Sequence, residues 1–487
     1  MSEPSQDLID VPVRPAGPFA SYIAPVLLIL LAVAIGWFLP GSHIPKNLRG
    51  APAQRLQSLL GLCSFIFLAY LLGRIRNRRA SPFPWRALLW GVALQFAFGA
   101  LVLKVPDLLE AVNQFIKALL DFTAEGAKIV FGNLIHSEGV PVLVKTADGH
   151  SLTGFADTGA YFAFFVLPTI LFFSTLTAIA WHTGVMQYVV QGLAWIMSKS
   201  MRTSGAETLT VAANIFVGQA ESPLIIKPFL NTVTNSELMC IMVAGFANIA
   251  SGVLGLYTLW LGPYIQNVGG HLAAACFISA PASLLISKLL LPETTVPQTA
   301  AGVTFKVERT GTNIIDAATR GTSDGLGLAL NVAAMLVTFT AIVALLNFLL
   351  TWVCAKTHLS HGQPLTLQQM LSYPMSPLAW LSGVSWHDSR AVGSLLGIKT
   401  VLNELLAYND MRQSFSQNPL FISPRSALIA AYSLCGFANF ASIGIQVGGI
   451  STLAPSRRTD LSRLGLMAMI GGAIASFTTA SVIGVLL

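Results

Sequence analysis

Gly245-Phe246-Ala247-Asn248-Ile249-Ala250-Ser251 recurs near the other end of the chain as Gly436-Phe437-Ala438-Asn439-Phe440-Ala441-Ser442, with six of the seven positions identical. Each copy lies within a stretch without a single Asp, Glu, Lys or Arg, 238–287 for the first and 426–456 for the second. An amide among small residues in a long apolar run marks a place where backbones approach closely or a helix unwinds. Upstream of each copy lies a segment that reads as a broken helix, one carrying Glu221 and the other Glu404. Interrupted apolar segments at corresponding positions of two halves are the sequence pattern of a transporter built from internal repeats, with its site near the bilayer midplane. Chance recurrence in a Gly-, Ala- and Phe-rich chain is the competing explanation, and six identities in seven weigh against it.

The composition agrees. Of 487 residues 54% are hydrophobic and 10% charged, against about 25% charged in a soluble globular domain. Mean hydropathy is +0.68. So few charges cannot cover a water-exposed surface of this size, so the chain reads as an integral membrane protein. The net charge of +7 does not indicate a nucleic-acid partner, because the basic residues gather at the edges of apolar segments. Arg74, Arg76, Arg78, Arg79 and Arg86 form the densest run and read as a cytoplasmic loop. The five cysteines lie in apolar stretches without a CxxC pair, so neither a disulfide framework nor a zinc site is supported. Glu3, Asp7 and Asp10 replace the basic start of a signal peptide, so the first apolar run is expected to be a retained span.

A spanning helix needs roughly 20 mostly apolar residues. That rule predicts spans at 23–39, 56–72, 87–103, 159–181, 326–353, 426–456 and 464–487, and two more from 238–287, split at Gly262-Pro263 and Gly269-Gly270. Nine crossings place the N-terminus in the cytoplasm and the C-terminus outside. The stretches 107–120 and 185–198 are amphipathic and belong at an interface. The polar insertion 133–158 reads as an exposed loop, and 293–312 as a hydrophilic linker. The fold class is therefore all-α, with about nine spans, interfacial helices and two re-entrant hairpins.

The first hairpin is 204–230. Ser204-x-x-Glu207 is a capping box that starts a helix, and Val217-Gly218-Gln219-Ala220-Glu221-Ser222-Pro223 breaks it and starts another. The second is 377–408, interrupted at Gly383 and Gly393 and bearing Asn403-Glu404. Irregular backbone at membrane depth is tolerated only where it is buried in protein or lines a wet cavity. Burying Glu221 or Glu404 in lipid would cost at least ~2.5 kcal/mol each, so both are predicted to face a cavity as ligands, with helix capping as the structural alternative. Gln219, Asn439 and Ser442 add neutral donors and acceptors suited to an uncharged polar solute. The spacing of three puts Asn439 and Ser442 on one helical face. Asn214, Asn248 and the carbonyls of Val217 and Ile249 offer oxygen ligands of the kind that hold a small monovalent cation in unwound transporter segments. Gly393 and Gly397-Ile398-Lys399-Thr400 lack the adjacent Gly-Lys and the βαβ setting of a phosphate-binding loop. An ATP-driven pump and an intramembrane enzyme are thereby disfavoured.

Those residues resemble the concentrative nucleoside transporters, the bacterial-type cation:nucleoside symporters. The resemblance is carried by 212–224 around Val217-Gly218-Gln219-Ala220-Glu221, by Gly397-Ile398-Lys399-Thr400 with Asn403-Glu404, and by Cys435-Gly436-Phe437-Ala438-Asn439. It extends from about residue 56 to the C-terminus. It implies a homotrimer in the cell (inner) membrane whose transport domain moves as an elevator against a scaffold. Scaffold would occupy 1–183 and 293–363, and the two halves of the transport domain 184–292 and 364–487. Nucleosides would be carried with sodium, or with protons as in some members. The resemblance assigns Gln219, Ala220 and Glu221 to the nucleobase, Glu404, Asn439 and Ser442 to the ribose, Phe437 and Val253 to the apolar walls, and Asn214, Val217, Asn248 and Ile249 to sodium. Ala220 departs from the hydroxyl residue expected there, which leaves purine versus pyrimidine preference open, and Asn248 replaces the Ser expected in the cation site, where its amide can still offer an oxygen. A carrier of free nucleobases or of another small polar solute is the alternative reading.

Overall fold

The computed structural model describes residues 23–30, 45–76, 83–135, 140–145, 151–156, 162–219, 221–300, 312–357 and 366–487. Most of the first expected span, with Arg78 and Arg79, lies outside them. In chain order the helices are α1 (Pro52–Arg76), α2 (Trp85–Lys104), α3 (Pro106–Phe131), α4 (Phe162–His182), α5 (Val185–Met201) and α6 (Gly205–Ala213). They continue as α7 (Asn235–Ala247), α8 (Ser251–Leu261), α9 (Val268–Leu290), α10 (Ile314–Thr357) and α11 (Leu367–Leu381). The last five are α12 (Ser389–Val401), α13 (Glu404–Gln417), α14 (Pro424–Leu434), α15 (Phe440–Leu453) and α16 (Arg458–Leu486). The insertion expected as a loop contains β1 (Val140–Lys145) and β2 (Ser151–Ala156), an antiparallel hairpin in register from Val140 opposite Ala156 to Lys145 opposite Ser151. Val140, Val142 and Val144 supply the β-branched alternation that favours strand there, so the helical class carries a small β addition.

Six helices among the described residues are long and apolar enough to cross a membrane, and the pair α4–α5, bent by 78°, makes a seventh if counted as one span. The chain is a multi-pass membrane protein. The expected crossing at 426–456 is absent from that count because it is broken between α14 and α15. Apolarity does not reveal which helices form the interior. The windows in α9 and α10 have hydropathies of 1.7 and 2.3, yet 89% of the first and 6% of the second are buried. The span made by α7 and α8 is 94% buried, so these helices and α9 form the protein's centre while α10 stands at its margin.

The first hairpin forms as an α-helix of nine residues, α6, and a return arm of eight, Ser222–Phe229, which is a 3-10 helix rather than the α-helix expected. Pro223 and Pro228 within eight residues explain the difference, since neither can donate to an i–4 carbonyl. The predicted capping box is present, with Ser204 Oγ accepting from Glu207 N–H and Glu207 Oε2 accepting from Ser204 N–H. Glu207 is not a wet hairpin end. It is buried and ion-paired with Lys288 of α9, whose Nζ also donates to Ser236 Oγ at 3.0 Å.

The second hairpin is bounded differently from expectation. The chain does break at Gly383, but Gly393 lies inside α12. A Cβ on Gly393 would come within 2.8 Å of Ser376 N and 2.9 Å of Ser372 O. That glycine serves close packing of α12 on α11, not an interruption. The break before Glu404 falls at Leu402-Asn403, between α12 and α13.

Candidate functional site

Both copies of the repeat are unwound. α7 stops at Ala247 and α8 resumes at Ser251, with Asn248 extended at φ −113°, ψ 161°. α14 stops at Leu434 and α15 resumes at Phe440, with Gly436 at φ +129°. A Cβ on Gly436 would sit 2.7 and 2.8 Å from the carbonyl oxygens of Phe246 and Ala247, so the two breaks touch main chain to main chain. Helix ends leave carbonyls without intrahelical partners. At the end of α14 they are met by Tyr408 Oη (to Ala431 O, 2.8 Å), Lys399 Nζ (to Ser433 O, 2.9 Å) and Ser476 Oγ (to Cys435 O, 2.8 Å). At the end of α7, Asn214 Nδ2 donates to Ala244 O at 2.5 Å.

Glu404 opens α13, where the helix dipole favours an anion, and it is buried. Its Oε1 accepts from Tyr257 Oη at 3.2 Å and its Oε2 from Asn439 Nδ2 at 3.1 Å. Asn403 caps the same helix, its Oδ1 accepting from Leu406 N–H at 2.8 Å. Asn439 is the residue before α15, and its Oδ1 accepts from Ser442 N–H at 2.9 Å. The spacing of three between Asn439 and Ser442 is therefore a helix cap, not two rungs of one helical face. Since Asn439 Oδ1 is held by Ser442 N–H, its NH2 is the end that meets Glu404. Val253 is buried on α8 one turn before Tyr257, the residue that reaches Glu404, and half-buried Phe437 lies in the second break.

Gln219 is buried at the tip of the first hairpin, with Oε1 accepting from Gln446 Nε2 at 3.0 Å. Glu221 is exposed, and its Oε2 accepts from Gly218 N–H at 3.0 Å. A main-chain N–H of the hairpin tip thus occupies one oxygen of Glu221, which as N-cap of the return arm makes no side-chain capping bond. Ala220 lies outside the described residues. Sequence reasoning missed Tyr257, Gln446 and a functional place for Lys399. Gln446 sits seven residues after Asn439 in a charge-free run, two turns on. Lys399 is a buried lysine in an apolar segment, and each of these signals was available.

At the four positions expected to hold a cation, all residues are buried. Asn214 donates through Nδ2, which leaves its Oδ1 as an acceptor. Among the described residues the carbonyl of Ile249 meets only the Cys276 thiol, at 4.0 Å. Asn248 Oδ1 contacts Ser279 Oγ while its Nδ2 is buried without a partner among the described residues. Ser279 also has Cys276 O at 3.0 Å. A hydroxyl has one proton, and a carbonyl can only accept. Ser279 donating to Cys276 would accept from an Asn248 amide turned over, whose Oδ1 would then occupy the partnerless position. Neutral oxygens of this kind suit a hard monovalent cation.

The comparisons with known proteins agree with one another. A family described as Na+ dependent nucleoside transporter matches through its N-terminus over residues 60–134 and its C-terminus over 271–484, and a nucleoside-recognition Gate family over 163–264. The uncharacterized transporter YutK of Bacillus subtilis (strain 168) is 39% identical over 434 residues, 88% of this chain and 98% of that protein. The chain belongs to the sodium-dependent nucleoside transporter family. Within it, solute carrier family 28 member 3 of Homo sapiens is 36% identical over 448 residues, which is 89% of this chain and 60% of that protein. This chain accordingly spans about three fifths of the length of those curated relatives. The structure of the transporter CNTnw in an inward-facing substrate-bound state superposes with a TM-score of 0.77 at 35% identity, covering 88% of this chain and 98% of that one. A doubly substituted CNTnw in an outward-facing state gives 0.79 at 35% identity, covering 90% and 98%. No enzymatic family is indicated among these matches.

Proposed function

We propose that this protein is a secondary active transporter that brings nucleosides into the cell by symport with a cation, sodium in preference to protons. The observation that carries the reading is Glu404, a buried carboxylate at a helix start that shares Tyr257 and Asn439 as neighbours where the second hairpin meets both broken helices. A carboxylate there accepts from the vicinal hydroxyls of a ribose, with Asn439 and Ser442 completing the polar rim and Val253 and Phe437 the apolar walls. Gln219 and Glu221, with Ala220 between them, meet the nucleobase. Sodium binds between the tip of the first hairpin and the first unwound helix, at Asn214, Val217, Asn248 and Ile249, and the free oxygens just described support it. Ordering the hairpin by the cation raises affinity for the nucleoside, and linkage makes the effect reciprocal.

Movement follows an elevator scheme in which 184–292 and 364–487 travel against a scaffold of 1–183 and 293–363. The 44-residue α10, apolar and exposed at Val337, Leu345 and Phe348, supports a scaffold role and a homotrimer contact. The bilayer is the cell (inner) membrane, with the N-terminus cytoplasmic and the C-terminus outside.

The test is uptake of labelled uridine and adenosine by proteoliposomes under an inward sodium gradient, an inward proton gradient or neither. Accumulation driven by sodium is expected. Drive by protons alone removes the sodium assignment and keeps the nucleoside pocket. Uptake of free nucleobases but not nucleosides would replace the ribose reading with the nucleobase carrier. No uptake from folded protein would refute the substrate class.

A further inference from the structure

Gln446 belongs to neither the expected substrate set nor the cation set, yet it is fully buried against both a repeat copy and the first hairpin. Its Nε2 donates to Met242 O at 3.1 Å and to Gln219 Oε1 at 3.0 Å. A main-chain carbonyl accepts and never donates, so the Met242 contact decides which end of the Gln446 amide faces α7. The Gln219 atom sharing that same NH2 group must then be an oxygen. Among the described residues the Gln219 NH2 takes no acceptor from the protein, so it is the end left to face the site.

The space for this arrangement is specific. A Cβ on Gly245 would fall 2.4 Å from Gln446 Nε2 and 3.0 Å from Gln219 Cβ. The glycine that opens the first repeat copy is thus the seat of the amide pair, a different duty from that of its counterpart Gly436. Gln446 Oε1 is buried without a partner among the described residues. A buried acceptor left empty lowers stability, and an apolar side chain of the same shape would pack there at less cost, which marks a functional position.

We infer that Gln446 is a specificity-determining positioning residue. It locks the Gln219 amide so that the site presents an N–H donor, and the nucleobase read there must offer an acceptor, a ring nitrogen or an exocyclic carbonyl, in place of an N–H. This rests on the proposed assignment of Gln219 to the nucleobase. The amide is oriented before substrate arrives, so an incorrect base edge meets donor against donor, which a buried site rejects strongly.

The experiment is a double-mutant cycle on uridine uptake in proteoliposomes, with Gln219→Ala, Gln446→Met and the pair. Gln446→Met is expected to raise KM about tenfold with Vmax within twofold, and to change KM less than twofold when Gln219 is already Ala. Gln446→Asn, which keeps an amide but is too short for both partners, should move KM the same way and serves where the Met variant does not reach the membrane. Equal KM increases in both backgrounds would show mere packing and overturn the inference, as would a fall in Vmax at unchanged KM. Wild-type kinetics for Gln219→Ala would overturn the inference together with the nucleobase assignment beneath it.

Discussion

Replacing Glu404 by Gln separates charge from shape at the centre of the site. Asn439 cannot turn its amide, because Ser442 N–H holds Oδ1, so the new side chain must set its oxygen toward Asn439 and its NH2 toward Tyr257. The tyrosine hydroxyl can rotate to accept. Both internal hydrogen bonds survive and the volume is unchanged, so only the negative charge is lost. A hydrogen bond to a charged group contributes about 1.5–3 kcal/mol and a neutral one about 0.5–1.5. Two ribose hydroxyls on the carboxylate therefore lose about 2–3 kcal/mol together, which is roughly a 30- to 150-fold drop in Vmax/KM and takes uptake close to background. The assay is initial-rate uptake of labelled uridine by proteoliposomes, with size-exclusion chromatography and a melting curve on the same preparation. Assembly and melting temperature should be unchanged, because Glu404 makes no ion pair among the described residues, so its neutralisation strands no partner charge. Uptake within threefold of the parent protein would refute the ribose assignment.

Asn248→Ala removes the amide beside Ser279 and should raise the sodium concentration for half-maximal uptake at least tenfold, with nucleoside KM at saturating sodium within threefold; an unchanged sodium curve would exclude that side chain from the cation site. Lys399→Met strips the ammonium from the Ser433 carbonyl and leaves a buried acceptor unmet, so a loss of about 1–3 kcal/mol in unfolding stability is expected by thermal melting. Glu207→Gln breaks the buried pair with Lys288 and should cost about 3–5 kcal/mol. Adding Lys288→Met should recover most of it, and failure of the double variant to recover would show that the pair is not the source. Gly436→Ala places a methyl within 2.8 Å of two carbonyl oxygens at φ +129°, and should lower yield and melting temperature more than Gly444→Ala, which meets nothing within 4 Å.

Local chemistry was legible in the sequence wherever it decides structure locally. The capping box at Ser204 and Glu207, the unwinding at both repeat copies and the break at Gly383 depend on residues within a turn or two of each other, and all three are present. Gly393 misled because a glycine that breaks a helix and one that admits a neighbouring helix look alike in sequence, and only the Ser372–Ser376 backbone opposite distinguishes them. Asn439 and Ser442 were brought to the site, but through a cap that helical periodicity does not anticipate.

Residue order alone establishes that the chain lives in a bilayer, that it contains an internal repeat, and that two glutamates and a set of amides accompany the breaks. Composition settles the first, because so few charges cannot solvate so long a chain, and the repeat is visible as identity. What those amides face follows from the folded arrangement instead. The Tyr257 hydroxyl reaches Glu404 across 147 residues and Gln446 reaches Gln219 across 227, separations that no spacing rule links. The folded arrangement also decided that α9 lies inside and α10 outside, although both are apolar. Lipid is as apolar as a protein interior, so hydrophobicity stops sorting helices once they are in the membrane, and packing of small residues and hydrogen bonds between helices does the sorting instead.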